Sequence, residues 1–263
     1  DEKVKRWVLA GTDYVYPRTT NKILEAYLKS KGVKQEDIMI NYTPFGHSDW
    51  QTIVADIKAA GGQAIAVPTD VTDTGQCQRL AEATLKAFGR IDGLVNSAYF
   101  HPPWASLETA AIDDVAKAFD VNALGGLRMA QAVLPQMRRQ GAGSIVNIST
   151  LATRKPMPGE GGYAMAKAAL AQLTRHMAIE TAGSGVRFNT ALMGWMDGVP
   201  LNTFYDSLPD GAKVKAQRAS EVPIGHIPPD RDCAKAVYFL LSDYASEVTG
   251  AALDVNGGDW VAP

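Results

Sequence analysis

The chain has 263 residues, 46% of them hydrophobic and 21% charged, which suits a single α/β domain with a sizeable core. A formal net charge of −2 with no clustering of Lys or Arg excludes a surface built for nucleic acid or anionic membrane. Only Cys77 and Cys233 occur, in no Cys-x-x-Cys spacing, which excludes a disulfide framework; with no membrane-length apolar run, a cytoplasmic protein is expected.

Short apolar runs alternate with longer amphipathic stretches along the whole chain, the pattern of βαβ units. Strands are expected at 7–10, 37–41, 64–68, 93–96, 144–148, 186–191 and 252–255. Helices are expected at 19–31, 49–60, 74–88, 112–140, 162–182, 205–218 and 230–241. Several strand candidates are continuously apolar, as strands covered on both faces are, so the pattern predicts a doubly wound, mostly parallel sheet of about seven strands. Asp230 follows Pro228 and Pro229 and is expected to N-cap the last helix. Residues 194–207 form the longest irregular stretch, a loop of the kind that covers a site. Trp195, Met196, Leu201 and Phe204 within it would either line a substrate pocket or anchor the loop. His47, His101, His176 and His226 have no metal-ligand spacing; they read as surface or loop residues, and no metal is expected.

Tyr163 and Lys167 lie four residues apart in the helical run YAMAKAALAQLTRHMAIE, which places both side chains on one face. A phenol titrates near pKa 10 and serves as an acid/base at neutral pH only where a cation favours its phenolate. Lys167 would supply that charge, and its ammonium also suits a cofactor ribose hydroxyl. In isolation the pair could equally be an exposed aromatic and an exposed lysine on a solvated face. Thr150, however, ends the apolar strand SIVNIS, at the carboxyl edge where parallel sheets bind ligands. Ser149 beside it should point the other way. Asn122, in FDVNALGG, sits inside a long helix despite its mediocre propensity and would otherwise serve a helix kink.

Taken in order, these residues resemble the short-chain dehydrogenase/reductase family over about four-fifths of the chain. The resemblance implies a Rossmann-like fold, NAD or NADP as cofactor, and interconversion of a small secondary alcohol and a ketone. It implies that Asp70 and Val71 contact adenine, and that Asn96 and Ala98 belong to the family's Asn-Asn-Ala-Gly turn, from which Ser97 and Tyr99 depart. It further implies that Asn122 holds a proton-relay water, that Thr150 takes the place of the substrate-orienting Ser, and that Tyr163 and Lys167 are the acid/base pair. Gly194 keeps the glycine that follows the sixth strand, while Met193 replaces the usual Pro and Gly198 the usual Thr. Residues 249–258, TGAALDVNGG, resemble the closing strand and turn. Members commonly form tetramers, so a homo-oligomer is expected.

The N-terminus departs from this pattern. A Gly-x-x-x-Gly-x-Gly turn should let pyrophosphate approach bare backbone at a helix N-terminus. The chain reads VLAGTDYVYPRTTNK, with Gly11 as its only glycine there and Pro17 lacking an N–H. Residues 7–53 instead resemble a flavodoxin-like βαβ segment of periplasmic urea- and amide-binding proteins, notably in Tyr-Val-Tyr-Pro-Arg-Thr-Thr-Asn. The join predicts an engineered chimera, with residues 54–263 dehydrogenase-like, weakened or lost nicotinamide binding, and little or no activity. The alternatives are an active NAD(P)-dependent oxidoreductase and a residual urea or amide binder. No nucleic-acid or membrane partner is expected.

Overall fold

The structure, a computed structural model, describes residues 63–261, so the expectations at residues 7–53, Gly11 included, lie outside the described residues. Four strands form one parallel sheet in the order β1 (Gly93–Asn96), β2 (Gly143–Thr150), β3 (Val186–Met193) and β4 (Ala252–Val255). Residues 64–68, expected as a strand, pair with none of these. A strand needs a neighbour to take its backbone groups, and the remaining candidates at 7–10 and 37–41 lie outside the described residues.

Helix α1 (Thr74–Phe88) precedes β1. Helix α2 (Ile112–Phe119), a π-helical turn (Asp120–Leu124) and α3 (Gly125–Gln140) run on without a break before β2. Helix α4 (Gly161–Glu180) joins β2 to β3. Helices α5 (Val199–Asp206), α6 (Gly211–Glu221) and α7 (Asp230–Leu241) separate β3 from β4. Punctuation in the sequence explains the sharp ends of α1: the Asp73 carboxylate accepts from the Gln76 N–H at 3.0 Å, and Gly89 closes the helix with a φ of 77°.

Strand β2 shows why its sequence is apolar throughout. Ile145 enters a core cluster with Val133, Met137 and Phe188, whereas Val146 and Ile148 enter another with Cys233, Val237 and Leu240. Alternate residues therefore meet α3 and α4 on one face and α7 on the other. Polar strand residues follow the same alternation and are paired. Ser144 donates to the Leu240 carbonyl at 2.9 Å on the α7 face. Asn147 on the opposite face accepts from Asn96 at 2.8 Å and donates to Thr174 at 2.9 Å. The Thr190 hydroxyl bonds the same Thr174 at 2.9 Å, so one buried network crosses β1, β2, β3 and α4.

Three departures from the sequence pattern have local causes. The helix expected over 112–140 contains the π-helical turn at Asn122, a widening that periodicity does not reveal. The helix expected over 205–218 is two helices, because Pro209 has no N–H to continue the first; α5 also occupies much of the stretch read as an irregular loop. Asp230 is the first residue of α7 rather than its cap, which is Pro229; its carboxylate accepts from the Arg231 N–H at 2.6 Å.

Gly185 enters β3 with a φ of 74°, and a Cβ there would press into the Gly141 carbonyl. Gly185→Ala is expected to lower stability by about 3 kcal/mol, from left-handed strain plus overpacking. A urea midpoint equal to that of the unmodified protein would contradict this tight turn between α4 and β3.

Candidate active site

The carboxyl ends of β1, β2 and β3 open onto one cavity of about 810 Å³. Ser97 just past β1, Thr150 at the end of β2, and Met193 and Gly194 at the end of β3 all line it. The parallel register sets Thr150 beside Met193. The backbone N–H of Gly194 donates to the Val255 carbonyl at 3.0 Å, and a Cβ there would come within 2.8 Å of Asn256. The end of β3 and the chain after β4 thus meet too closely for a side chain.

Helix α4 brings Tyr163 and Lys167 to the same cavity, one turn apart. Lys167 is only 1% exposed, and its ammonium donates to the Ile148 carbonyl at 2.9 Å. Its Nζ lies 5.8 Å from the Tyr163 ring centre. Burial disfavours the ammonium and pushes the Lys167 pKa down to about 7. Burial pushes the Tyr163 phenol above its ordinary range, and the nearby Glu160 carboxylate pushes it further. Glu160, at the N-terminus of α4, is itself raised by burial. Burial thus dominates both groups, and one of the Lys167 N–H groups is spent on Ile148.

Thr150 and Ser149 face different ways, as the strand period requires. The Thr150 hydroxyl accepts from the Ala152 N–H at 3.2 Å, opening a short 3₁₀ turn, while the Ser149 hydroxyl donates to the Lys167 carbonyl at 3.3 Å. Trp195, Met196, Leu201 and Phe204 all line the cavity, and Trp195, Met196 and Leu201 also pack into apolar clusters that anchor the segment, so both readings of it hold.

Other expected site residues lie elsewhere. Asn122, 2% exposed, uses both ends of its carboxamide on the Phe100 backbone: Oδ1 accepts from the N–H at 3.0 Å and Nδ2 donates to the carbonyl at 2.7 Å. Asn96 donates to Asn147 and, at 3.3 Å, to the Gly126 carbonyl. Asp70 is exposed and accepts from the N–H and hydroxyl of Thr72 at 2.9 and 2.7 Å. The Val71 side chain sits where a Cβ on Gly125 would strike it, and its carbonyl accepts from Arg128 at 3.2 Å. Neither these residues nor Ala98 line the cavity.

The sequence reading missed His101, Trp104 and Glu160, which do line it. The imidazole of His101 packs against the Tyr163 ring at 4.7 Å between centres and stacks on Trp104 at 5.3 Å. The available signal was position: YFHPPW follows the carboxyl end of a parallel strand, where ligand contacts concentrate. Among the described residues no group of three or more His, Cys, Asp or Glu is arranged to hold a metal ion, and no helix is long and apolar enough to cross a membrane.

Comparison with known proteins adds a lineage to this geometry. Residues 29–259 match the family model described as Enoyl-(Acyl carrier protein) reductase. The chain is 36% identical over 228 residues to an L-rhamnose 1-dehydrogenase (NAD(P)(+)) from a Sphingomonas species, covering 86% of this chain and 87% of that one. It is 34% identical over 207 residues to the 2,5-dichloro-2,5-cyclohexadiene-1,4-diol dehydrogenase LinX of Sphingobium indicum, covering 78% and 80%. It is 31% identical over 210 residues to the 3-oxoacyl-[acyl-carrier-protein] reductase FabG of Staphylococcus aureus, covering 79% and 82%. Among solved structures, levodione reductase superimposes with a TM-score of 0.78 at 25% identity over 93% of each chain. NAD+-bound xylitol dehydrogenase does so with a TM-score of 0.73 at 26% identity over 81% and 86%.

The buried lysine has a measurable signature in stability. Its folded pKa of about 7 lies below the ordinary 10.5, so between those values the unfolded chain binds a proton that the folded chain has shed. The lysine's contribution therefore makes stability rise from about pH 7 towards 10, and it is least favourable below 7. Lys167→Met is expected to remove this upward slope and to raise stability at pH 6, measured by denaturant unfolding across the range. An identical slope in the variant would overturn the assignment.

Proposed function

Because the chain belongs to the short-chain dehydrogenase/reductase family, we propose that it is a nicotinamide-dependent oxidoreductase interconverting a secondary alcohol and a ketone at this cavity. The observation that carries the reading is the convergence of Thr150, Tyr163 and Lys167 on one cavity at the carboxyl edge of the parallel sheet. The named relatives act on a sugar, a chlorinated cyclic diol and a carrier-bound oxoacyl group, so what they share is the redox step rather than a substrate.

The residues present fit a nicotinamide nucleoside. Lys167 gives one N–H to Ile148 and keeps others for ribose hydroxyls, and the cavity of about 810 Å³ has room for a ring beside the substrate. NAD or NADP, when bound, supplies the hydride chemistry. Tyr163 is then the proton donor or acceptor at the substrate oxygen, and the Thr150 hydroxyl hydrogen-bonds that oxygen. Because burial and Glu160 hold Tyr163 protonated, the phenol is ready to protonate a ketone oxygen, whereas alcohol oxidation must first remove its proton. Oxidation should accordingly gain rate as pH rises, more than reduction does.

A second reading, weakened nicotinamide binding, is favoured by the sequence VLAGTDYVYPRTTNK, in which Gly11 is the only glycine. Loss of two charge-assisted hydrogen bonds to phosphate, at about 1.5–3 kcal/mol each, lowers affinity roughly a hundredfold or more. A hybrid origin is not required for this reading, since the family match begins at residue 29, inside the segment that resembles a periplasmic binding protein.

Titration with NADH and with NADPH, followed by cofactor fluorescence, separates the readings. Micromolar binding supports the oxidoreductase, millimolar binding the weakened form, and no binding at millimolar cofactor rejects the first. In the active protein, Tyr163→Phe is expected to lower kcat about 10³-fold with cofactor affinity unchanged, and Thr150→Ser to keep most activity. Full activity in the phenylalanine variant would remove Tyr163 from the chemistry.

A further inference from the structure

His101 carries a hydrogen-bonding capacity that no described protein group uses. Its Nδ1 lies 2.6 Å from the Pro102 carbonyl oxygen. A carbonyl oxygen only accepts, so Nδ1 holds the proton. Burial lowers the pKa of the ring, outweighing the opposing bond to Pro102, and so favours the neutral imidazole. A neutral ring protonated at Nδ1 presents a lone pair at Nε2. That atom is buried and pairs with nothing among the described residues. The ring packs against Trp104 at 5.3 Å and Tyr163 at 4.7 Å, which hinders it from turning to another partner. A buried acceptor left unmatched costs free energy, and the residue that carries this one lines a cavity that small molecules would enter.

We propose that His101 Nε2 accepts a hydrogen bond from a second hydroxyl of the substrate, on the carbon adjacent to the carbinol served by Tyr163, so that the site selects vicinal diols over simple secondary alcohols. The assignment rests on the oxidoreductase reading and deepens it by naming the substrate class. The imidazole packs against the Tyr163 ring and both residues line the one cavity, so a molecule held at the phenol has His101 beside it. The cavity lining combines aromatic and apolar residues such as Phe100, Trp104 and Met157 with the charged Asp114, Lys117 and Glu160, whose own hydrogen-bonding capacity the variants below separate from that of His101. A site built to pair with a hydroxyl disfavours the analogue that lacks it, because its own polar group is then stranded.

The test uses the full chain labelled with ¹⁵N-histidine, with trans-cyclohexane-1,2-diol and cyclohexanol as probes, in the presence and absence of oxidised nicotinamide cofactor. The His101 ring, identified by the signals lost in His101→Gln, should show the Nδ1–H tautomer, and only the diol should move its Nε2 resonance. The unmodified protein should bind the diol at least about tenfold more tightly than cyclohexanol. His101→Phe, which keeps the stacking, should bring the two affinities within about threefold, and His101→Gln, which keeps an acceptor, should retain part of the preference. A proton on Nε2, equal affinities in the unmodified protein, equal losses for both probes in the phenylalanine variant, or uptake of neither probe would overturn the proposal. Cofactor binding without a diol preference removes this role from His101 and leaves the oxidoreductase reading standing. Absence of cofactor binding strikes that reading itself.

Discussion

Strand β2 and helix α4 are clamped by three consecutive strand residues. Asn147 donates from its side chain to Thr174, Ile148 offers its carbonyl to the Lys167 ammonium, and the Ser149 hydroxyl donates to the Lys167 carbonyl. Side chains of consecutive strand residues alternate in direction, so Ile148 can join only through its backbone while its side chain packs towards α7. Turning α4 by a single residue would tear the ammonium from its carbonyl and leave a buried charge unmatched, an arrangement far more costly than an ordinary lost contact. The helix is therefore fixed in rotation as well as position. Tyr163, one turn before Lys167 on the same face, is carried into the cavity as a consequence.

The clamp is expensive where it matters for chemistry. A lysine at 1% exposure and a phenol with its pKa raised are both destabilising choices compared with apolar residues of similar size. Such groups cluster in functional clefts because the environment that disfavours their charge also lets small changes in proximity move a proton. The hydrophobic clusters on either face of the sheet offset the cost with apolar burial on both sides of the strands.

Much of this was legible in the sequence, for identifiable reasons. Helices α1 and α7 have the expected limits because Asp73, Gly89 and Pro229 punctuate them. Thr150, Tyr163 and Lys167 could be grouped because a strand end and a helical spacing are local features. Pro209 stands in the sequence too, yet the helix expected over 205–218 runs across it, whereas its missing N–H ends α5 before α6 begins. The π-helical turn at Asn122 left no periodic trace, and the protonation of Tyr163 depends on burial, a property of the assembled fold. His101 read as a surface or loop residue because its partners in the cavity, Tyr163 above all, are remote in sequence.

Asn122 links these two illegible features. Its carboxamide holds both backbone groups of Phe100, and the Lys117 ammonium lies 4.5 Å above the Phe100 ring. The residue after Phe100 is His101, so the π-helical turn sets the segment that forms one wall of the cavity. The opposite wall is set by the grip of β2 on α4. The two meet where the imidazole packs on the tyrosine ring. With its side chain spent on Phe100, Asn122 ties the π-helical turn to the backbone that follows β1. On this account the distance between Tyr163, the proposed acid/base, and the proposed second-hydroxyl acceptor is fixed by two independent anchors, Asn122 and Lys167, neither of which needs to touch a substrate's second hydroxyl. A shift in either anchor would change which substrates span the gap before it changed the reaction performed on them.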